Sequence, residues 1–194
     1  MLLNHLVTQV KVNGSRATGV SCRRRNKPAQ NPIEATADEI VVNSAIPALA
    51  DLLPHEYGEQ LREDCTGLNT GASLLTVYFG FTRPLKELGH KYYSTFIYDT
   101  SVRCQADIAA NNHDDFSRRS FTFVDYGQID SGMASGDKSV GAVCCIDYLS
   151  DWENLSREEY DRKKEYVART FIERLGKLIP GFEEIGRASC RERV

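Results

Sequence analysis

Ile40-Val41-Val42, followed at once by Asn43-Ser44-Ala45, constrains this chain more than any other stretch. Three β-branched residues in a row are the composition of a strand buried on both faces. Such a strand would end abruptly in the small residues. Ile46-Pro47-Ala48-Leu49-Ala50 then reads as a helix start, where proline costs no hydrogen bond. A strand, a small-residue turn and a helix start form a geometry in which a ligand can approach the backbone closely. One more buried strand with its connection accounts for the same residues.

What precedes this stretch sharpens the reading. Val7–Val12 and Arg16–Arg23 are strand-like runs on either side of Asn13-Gly14-Ser15, and Asn-Gly is a strong hairpin signal. A basic loop from Arg23 to Lys27 leads on toward Ile40, and a solvated hairpin tip explains its charge.

Composition excludes several classes. Charged residues make up 26% and hydrophobic residues 41% of 194, which describes an ordinary globular chain. A net charge of −3 argues against a general nucleic-acid binder. No apolar run approaches the length of a membrane span, and Met1-Leu2-Leu3 is too brief for a signal peptide. The six cysteines show no C-x-x-C spacing and read as structural thiols of a reducing compartment, so the expected location is cytoplasmic. His113-Asp114-Asp115 has metal-ligand chemistry but sits in a polar stretch, and no metal site is expected. No two glycines are separated by a single residue, so no G-x-G-x-x-G dinucleotide turn is present. Nor is there a Walker loop, a G-x-S-x-G elbow or an H-E-x-x-H.

Further along, 45–53 and 56–65 read as short helices. Strands are expected at 73–81, 92–98, 121–126 and 138–149, and a helical turn at 84–88. The segment 99–119 is ambiguous and 127–137 is a polar loop. Ser156 with Glu159 three residues on is a capping box, and Tyr160, Val167, Phe171, Leu175 and Leu178 then recur at helical intervals until Pro180-Gly181. Several strands with amphipathic helices make this an α/β (α+β) chain, a sheet with helices packed on it.

Particular motifs resemble those of a known family. Val7-x-x-Val10, Gly19-Val20 and Ala37-Asp38-x-x-Val41-Val42-x-x-Ala45 resemble the small β-meander of flavoprotein oxidoreductases and the strand that returns from it. One extra residue lies between Asp38 and the valine pair. The runs Ser73–Gly80, Pro84–Gly89, Tyr93–Phe96, Gln128–Ala134, Lys138–Gly141 and Asp151–Leu155, with Glu159-Tyr160, Lys163–Glu165 and Pro180-Gly181, look like the substrate domain of the phytoene desaturase and retinol saturase family. The resemblance runs in order over about residues 4–182.

It implies an internal fragment of a two-domain FAD/NAD(P)-binding oxidoreductase fold. Residues 1–45 would be a partial FAD-binding domain and 46–183 part of the substrate-binding domain. It further implies an enzyme that uses FAD, with NAD(P) as a further candidate, to desaturate or saturate carbon–carbon bonds of a long polyene or isoprenoid. The Val7 backbone would lie against the flavin adenine, with Asn43, Ser44 and Ala45 near the cofactor. The strands at 73–81, 92–98 and 139–148 would floor an apolar substrate tunnel, although a protein core explains their aromatic residues equally well. No catalytic acid or base is carried over. The partner implied is an apolar small molecule, with no nucleic acid, and the family's substrates allow peripheral contact with a membrane.

The family's glycine-rich turn and its glycine-rich closing segment are both missing, so the chain is expected to be the middle of a longer protein. Glu184–Val194 resembles the translation of a sequencing-adapter read-through and is expected to be a non-native tail with almost no packed contacts. From other classes, a stand-alone lipid- or carotenoid-binding module and an unrelated α+β interaction protein remain as alternatives.

Overall fold

The structure, a computed structural model, describes residues 2–26, 31–69, 71–129, 131–134 and 136–193, with side chains described only as far as residue 188. The fold is mixed α/β with two antiparallel sheets, and the chain divides into two compact units, Met1–Thr70 and Gly71–Val194.

In the first unit, β1 (His5–Asn13) and β2 (Arg16–Arg24) form the expected hairpin, and Asn13 pairs with Arg16. The loop is therefore Gly14-Ser15, with positive φ at Gly14 alone, the pattern of a turn that wants glycine first. The third strand, β3 (Ile33–Thr36), pairs with β2 from Cys22↔Ile33 to Gly19↔Thr36. The basic loop before it runs into residues outside those described.

Pairing ends at Ala37, whose amide donates to the Thr18 carbonyl at 3.1 Å. Ile40–Val42 is not a strand, which corrects the expectation of a doubly buried one: Val41 is 94% exposed. Among the described residues no strand pairs with the β-branched run. α1 (Ile46–Leu52), with Pro47 in its first turn, and α2 (His55–Asp64) pack together in this same unit. Gly58 permits their contact, because a Cβ there would lie 2.4 Å from the Ala50 carbonyl oxygen. The compact unit thus continues past Ala45 through both helices.

The second unit is a five-stranded sheet of order β5-β6-β7-β4-β8. Its strands are β4 (Ser73–Phe81), β5 (Ser94–Ile97), β6 (Phe121–Asp125), β7 (Ser139–Asp147) and β8 (Gly186–Arg193). α3 (Gln105–Asn111) lies within the ambiguous polar segment, and α4 (Arg157–Leu178) carries the expected Ser156/Glu159 capping box.

One face of the sheet presents Leu75, Val77, Phe79, Phe81, Phe121, Phe123 and Val143 to Val167, Phe171 and Leu175 of α4. Phe182 of α5 (Phe182–Ile185) meets the rings of Phe79, Phe81 and Phe123 at centroid distances of 5.4, 5.3 and 5.9 Å. Leu178 departs from the predicted stripe and is 55% exposed, while Leu175 and Ile179 on either side of it are buried.

Beside this core lies a buried ion pair, Arg119–Asp147 at 2.7 Å. The Trp152 indole N–H donates to the second Asp147 oxygen at 2.7 Å, and Arg119 sits 4.2 Å from the centre of the Phe116 ring. Each charge is thus hydrogen-bonded as well as paired, which burial demands.

The C-terminal segment also departs from expectation. Ile185 is 4% exposed in the core, and β8 pairs with β4 from Phe81↔Gly186 to Leu74↔Arg193. An edge strand is held by backbone groups that any sequence carries, so the segment's lack of an apolar period did not prevent pairing. Val194 lies outside the described residues.

Candidate functional site

The first unit contains a concavity of about 450 Å³. Val7, Val10 and Val20 come to it from the hairpin, Ala35 and Ala37 from β3 and its exit, and Ile40–Ser44 from the segment that leads to α1. Val7, Asn43 and Ser44, three of the four residues singled out in the sequence, therefore line one cavity although 36 positions separate the outer two. Ala45 is not in the lining and instead caps the N-terminus of α1 with extended backbone. The pairing register shifts between Val7 and Gln9, and such a bulge re-aims the strand where it borders the cavity. The Ser44 hydroxyl reaches only the Ala45 carbonyl, at 3.5 Å, the far limit of a hydrogen bond. Val10, Val20 and Ala35 were not singled out as site residues, although alternation along the hairpin places such residues on a shared face.

This lining tests the fit of a dinucleotide. Apolar walls of valine and alanine suit the flat adenine end, and Asn43 supplies an amide for its edge. Glu39 is the one charged residue of the lining and would repel a pyrophosphate, no lysine or arginine joins it, and the nearby helix α1 has neither a glycine-rich turn nor a side-chain cap at its start. The residues fit the adenine end of such a cofactor and not its pyrophosphate.

In the second unit, the sheet face opposite α4 is the other feature of note. In register, Leu74 lies opposite Ile146, Thr76 opposite Cys144 and Tyr78 opposite Ala142. Phe96 lies opposite Thr122 on the neighbouring pair. α3 borders that face at a hollow of about 230 Å³ lined by Leu74, Phe96, Tyr98, Ile108, Cys144 and Ile146 together with polar but uncharged neighbours. Cys144 and Cys145 point to opposite faces, as strand neighbours must, and Cys145 is buried in the core. Burial pushes the Tyr126 phenol above its ordinary range, and Tyr93, Cys144 and Tyr78 nearby push the same way. The lining of this hollow carries no charged residue, whereas β8 places Arg187 opposite Gly80 on the same face of the sheet.

Among the described residues no group of three or more histidines, cysteines or acidic residues could hold a metal. His113 instead stacks on Tyr148 with ring centres 4.2 Å apart. No described helix is long and apolar enough to cross a membrane.

No family model matches the chain, and no curated protein matches it. Among solved structures it is similar to an oxidoreductase from Methanosarcina mazei, at 13% sequence identity and a TM-score of 0.45. That likeness covers 97% of this chain and 36% of the other, so the chain spans little more than a third of its structural neighbour's length.

Proposed function

We propose that this chain is part of an FAD-dependent oxidoreductase, akin to phytoene desaturases and retinol saturases, that acts on a long apolar polyene or isoprenoid. The observation that carries the reading is the convergence of Val7, Asn43 and Ser44 on one apolar cavity, since the family resemblance had assigned those separated residues to a single cofactor. The hollow beside α3 supports the substrate class: its lining offers aromatic and aliphatic side chains without a charge. When bound, flavin supplies the hydride chemistry at carbon. The chain's own contribution is to seat the adenine end and to give the substrate a floor from which water is excluded. NAD(P) as a further cofactor, a cytoplasmic location and contact with a membrane surface belong to the same proposal.

The test is flavin absorbance after purification. The 194-residue chain is expected to be colourless, because adenine contacts alone do not repay the cost of immobilising a large ligand. A chain extended by coding sequence that carries a G-x-G-x-x-G turn is expected to be yellow. Stoichiometric FAD on the shorter chain would overturn the division of the site. An extended chain that binds carotenoid but no flavin would favour a lipid-binding module.

A further inference from the structure

A separate cavity of about 450 Å³ opens where the edge strand β5 meets the C-terminal end of α4. His90, Tyr92, Thr95, Phe123, Leu178 and Ile179 contribute to it. Two polar atoms of this lining, His90 Nε2 and Thr95 Oγ1, are buried without a hydrogen-bond partner among the described residues. Folded proteins leave few such atoms unmatched. Two in a single cavity point to a group supplied from outside the chain.

The polar end of the cavity is held in place by other contacts. The His90 amide donates to the Leu85 carbonyl at 3.2 Å, after a turn at Gly89 with φ of 83°. The His90 carbonyl accepts from the Gln128 amide at 3.1 Å, and Gln128 also donates to the buried Asp125 carboxylate at 2.9 Å. The Asp125 backbone amide donates to the Tyr93 carbonyl at 2.8 Å. The imidazole itself is held by rings, with centroids 6.1 Å from Tyr92 and 5.7 Å from Phe123. Thr95 lies opposite Phe123 in the β5–β6 register, on the side facing α4. These contacts position the imidazole without using Nε2.

We propose that this cavity binds a small apolar molecule bearing one hydroxyl, a phenol or an alcohol, whose hydroxyl meets His90 Nε2 and Thr95 Oγ1. A hydroxyl donates and accepts at once, which is what a threonine hydroxyl together with an imidazole nitrogen can match. A carboxylate would find no lysine or arginine in the lining, and an ammonium would find no carboxylate. The aromatic and aliphatic remainder of the lining suits an apolar body, and the volume lies in the range of small-molecule sites. The proposal rests on the unpartnered atoms of His90 and Thr95 and not on the flavin reading, although Phe96, Ile97 and Tyr98 line both this cavity and the hollow beside α3.

The test titrates the whole chain with 4-propylphenol and with propylbenzene while following the His90 ring and Thr95 methyl signals by NMR. The phenol is expected to shift both signals and to bind about tenfold more tightly than the hydrocarbon, the equivalent of one well-made hydrogen bond. Thr95→Val and His90→Phe should each reduce that preference. Equal binding of the two probes, no shift of either signal, or a preference that survives Thr95→Val would overturn the proposal. If His90→Phe fails to fold, the unaltered chain and Thr95→Val decide the matter.

Discussion

The two faces of the five-stranded sheet are made by the same strands from similar residues, yet they end in different environments. Toward α4, Leu75, Val77, Phe79 and Phe123 are almost completely buried, whereas across the sheet Leu74 is 52% and Phe96 68% exposed. A near-continuous apolar strand is the mark of a sheet covered on both sides. Here the apolar composition extends beyond the cover that the described unit supplies. Side-chain chemistry thus records what a face is suited to meet, and the presence of a packing partner decides whether it is buried. The same lesson applies in the first unit, where Val41 has strand chemistry and no strand among the described residues to pair with.

The largest expected effect is on the covered face. Phe171→Ala should destabilise the chain by about 3–5 kcal/mol, because the ring is fully buried with Phe121 and Phe116 at 4.9 and 6.1 Å. Asp147→Ala should cost a similar amount, about 3–5 kcal/mol, by leaving the Arg119 charge buried and the Trp152 indole without its acceptor. Chemical denaturation of the two variants measures both. A loss below about 1 kcal/mol for Phe171→Ala would mean that α4 does not close this face.

Next comes the anchoring of α4. Ser156 accepts from the Glu159 amide, and the Glu159 carboxylate accepts from the Ser156 amide at 2.9 Å. Ser156→Ala should cost about 1 kcal/mol, read from the denaturation midpoint. Glu159→Gln should cost less, since a glutamine can still close the box.

That helix shows what the sequence made legible. Its cap and its 3.6-residue spacing are local signals, and so are the Gly14 turn and the apolar, aromatic-rich run of β4. Other features depend on contacts that no local window contains. β8 is one, since it pairs with β4, far away in sequence; α3 escapes a sequence reading for another reason, because its local cap is Cys104, outside the usual capping residues. Of the candidate site, Val7, Asn43 and Ser44 could be named in advance only because a family pattern joined them. The orphaned atoms of His90 and Thr95 are a property of packing and have no sequence signature.

A smaller effect concerns the tie between α4 and the loop after α3. The Tyr166 hydroxyl donates to the Asp115 carboxylate at 2.6 Å and holds that carboxyl below its ordinary range, while the carboxylate holds the phenol above its own. A lowered acid gives stability that is present above its unfolded value and lost as the pH falls. A raised phenol gives stability that is lost as the pH rises. Tyr166→Phe should therefore lower stability by a few tenths of a kcal/mol between about pH 4 and pH 10, and converge with the unaltered chain outside that window. Midpoints measured across pH check this, and a difference that persists at pH 2 would assign the effect to packing.

The smallest expected effect is on the uncovered face, and it tests the comparison most directly. Leu74→Ser and Phe96→Ser remove large apolar side chains, a change that costs several kcal/mol wherever such groups are packed. Both side chains are already more than half exposed, so little buried area is lost. Each substitution should shift stability by less than about 0.5 kcal/mol. The same variants should bind less of an apolar fluorescent probe and aggregate less, since exposed apolar patches drive both behaviours. Together these outcomes would describe a face that is available to an apolar ligand and unnecessary to the fold. A cost above about 2 kcal/mol for Leu74→Ser would instead show that the face is buried in solution, and the contrast between the two sides of the sheet would fail.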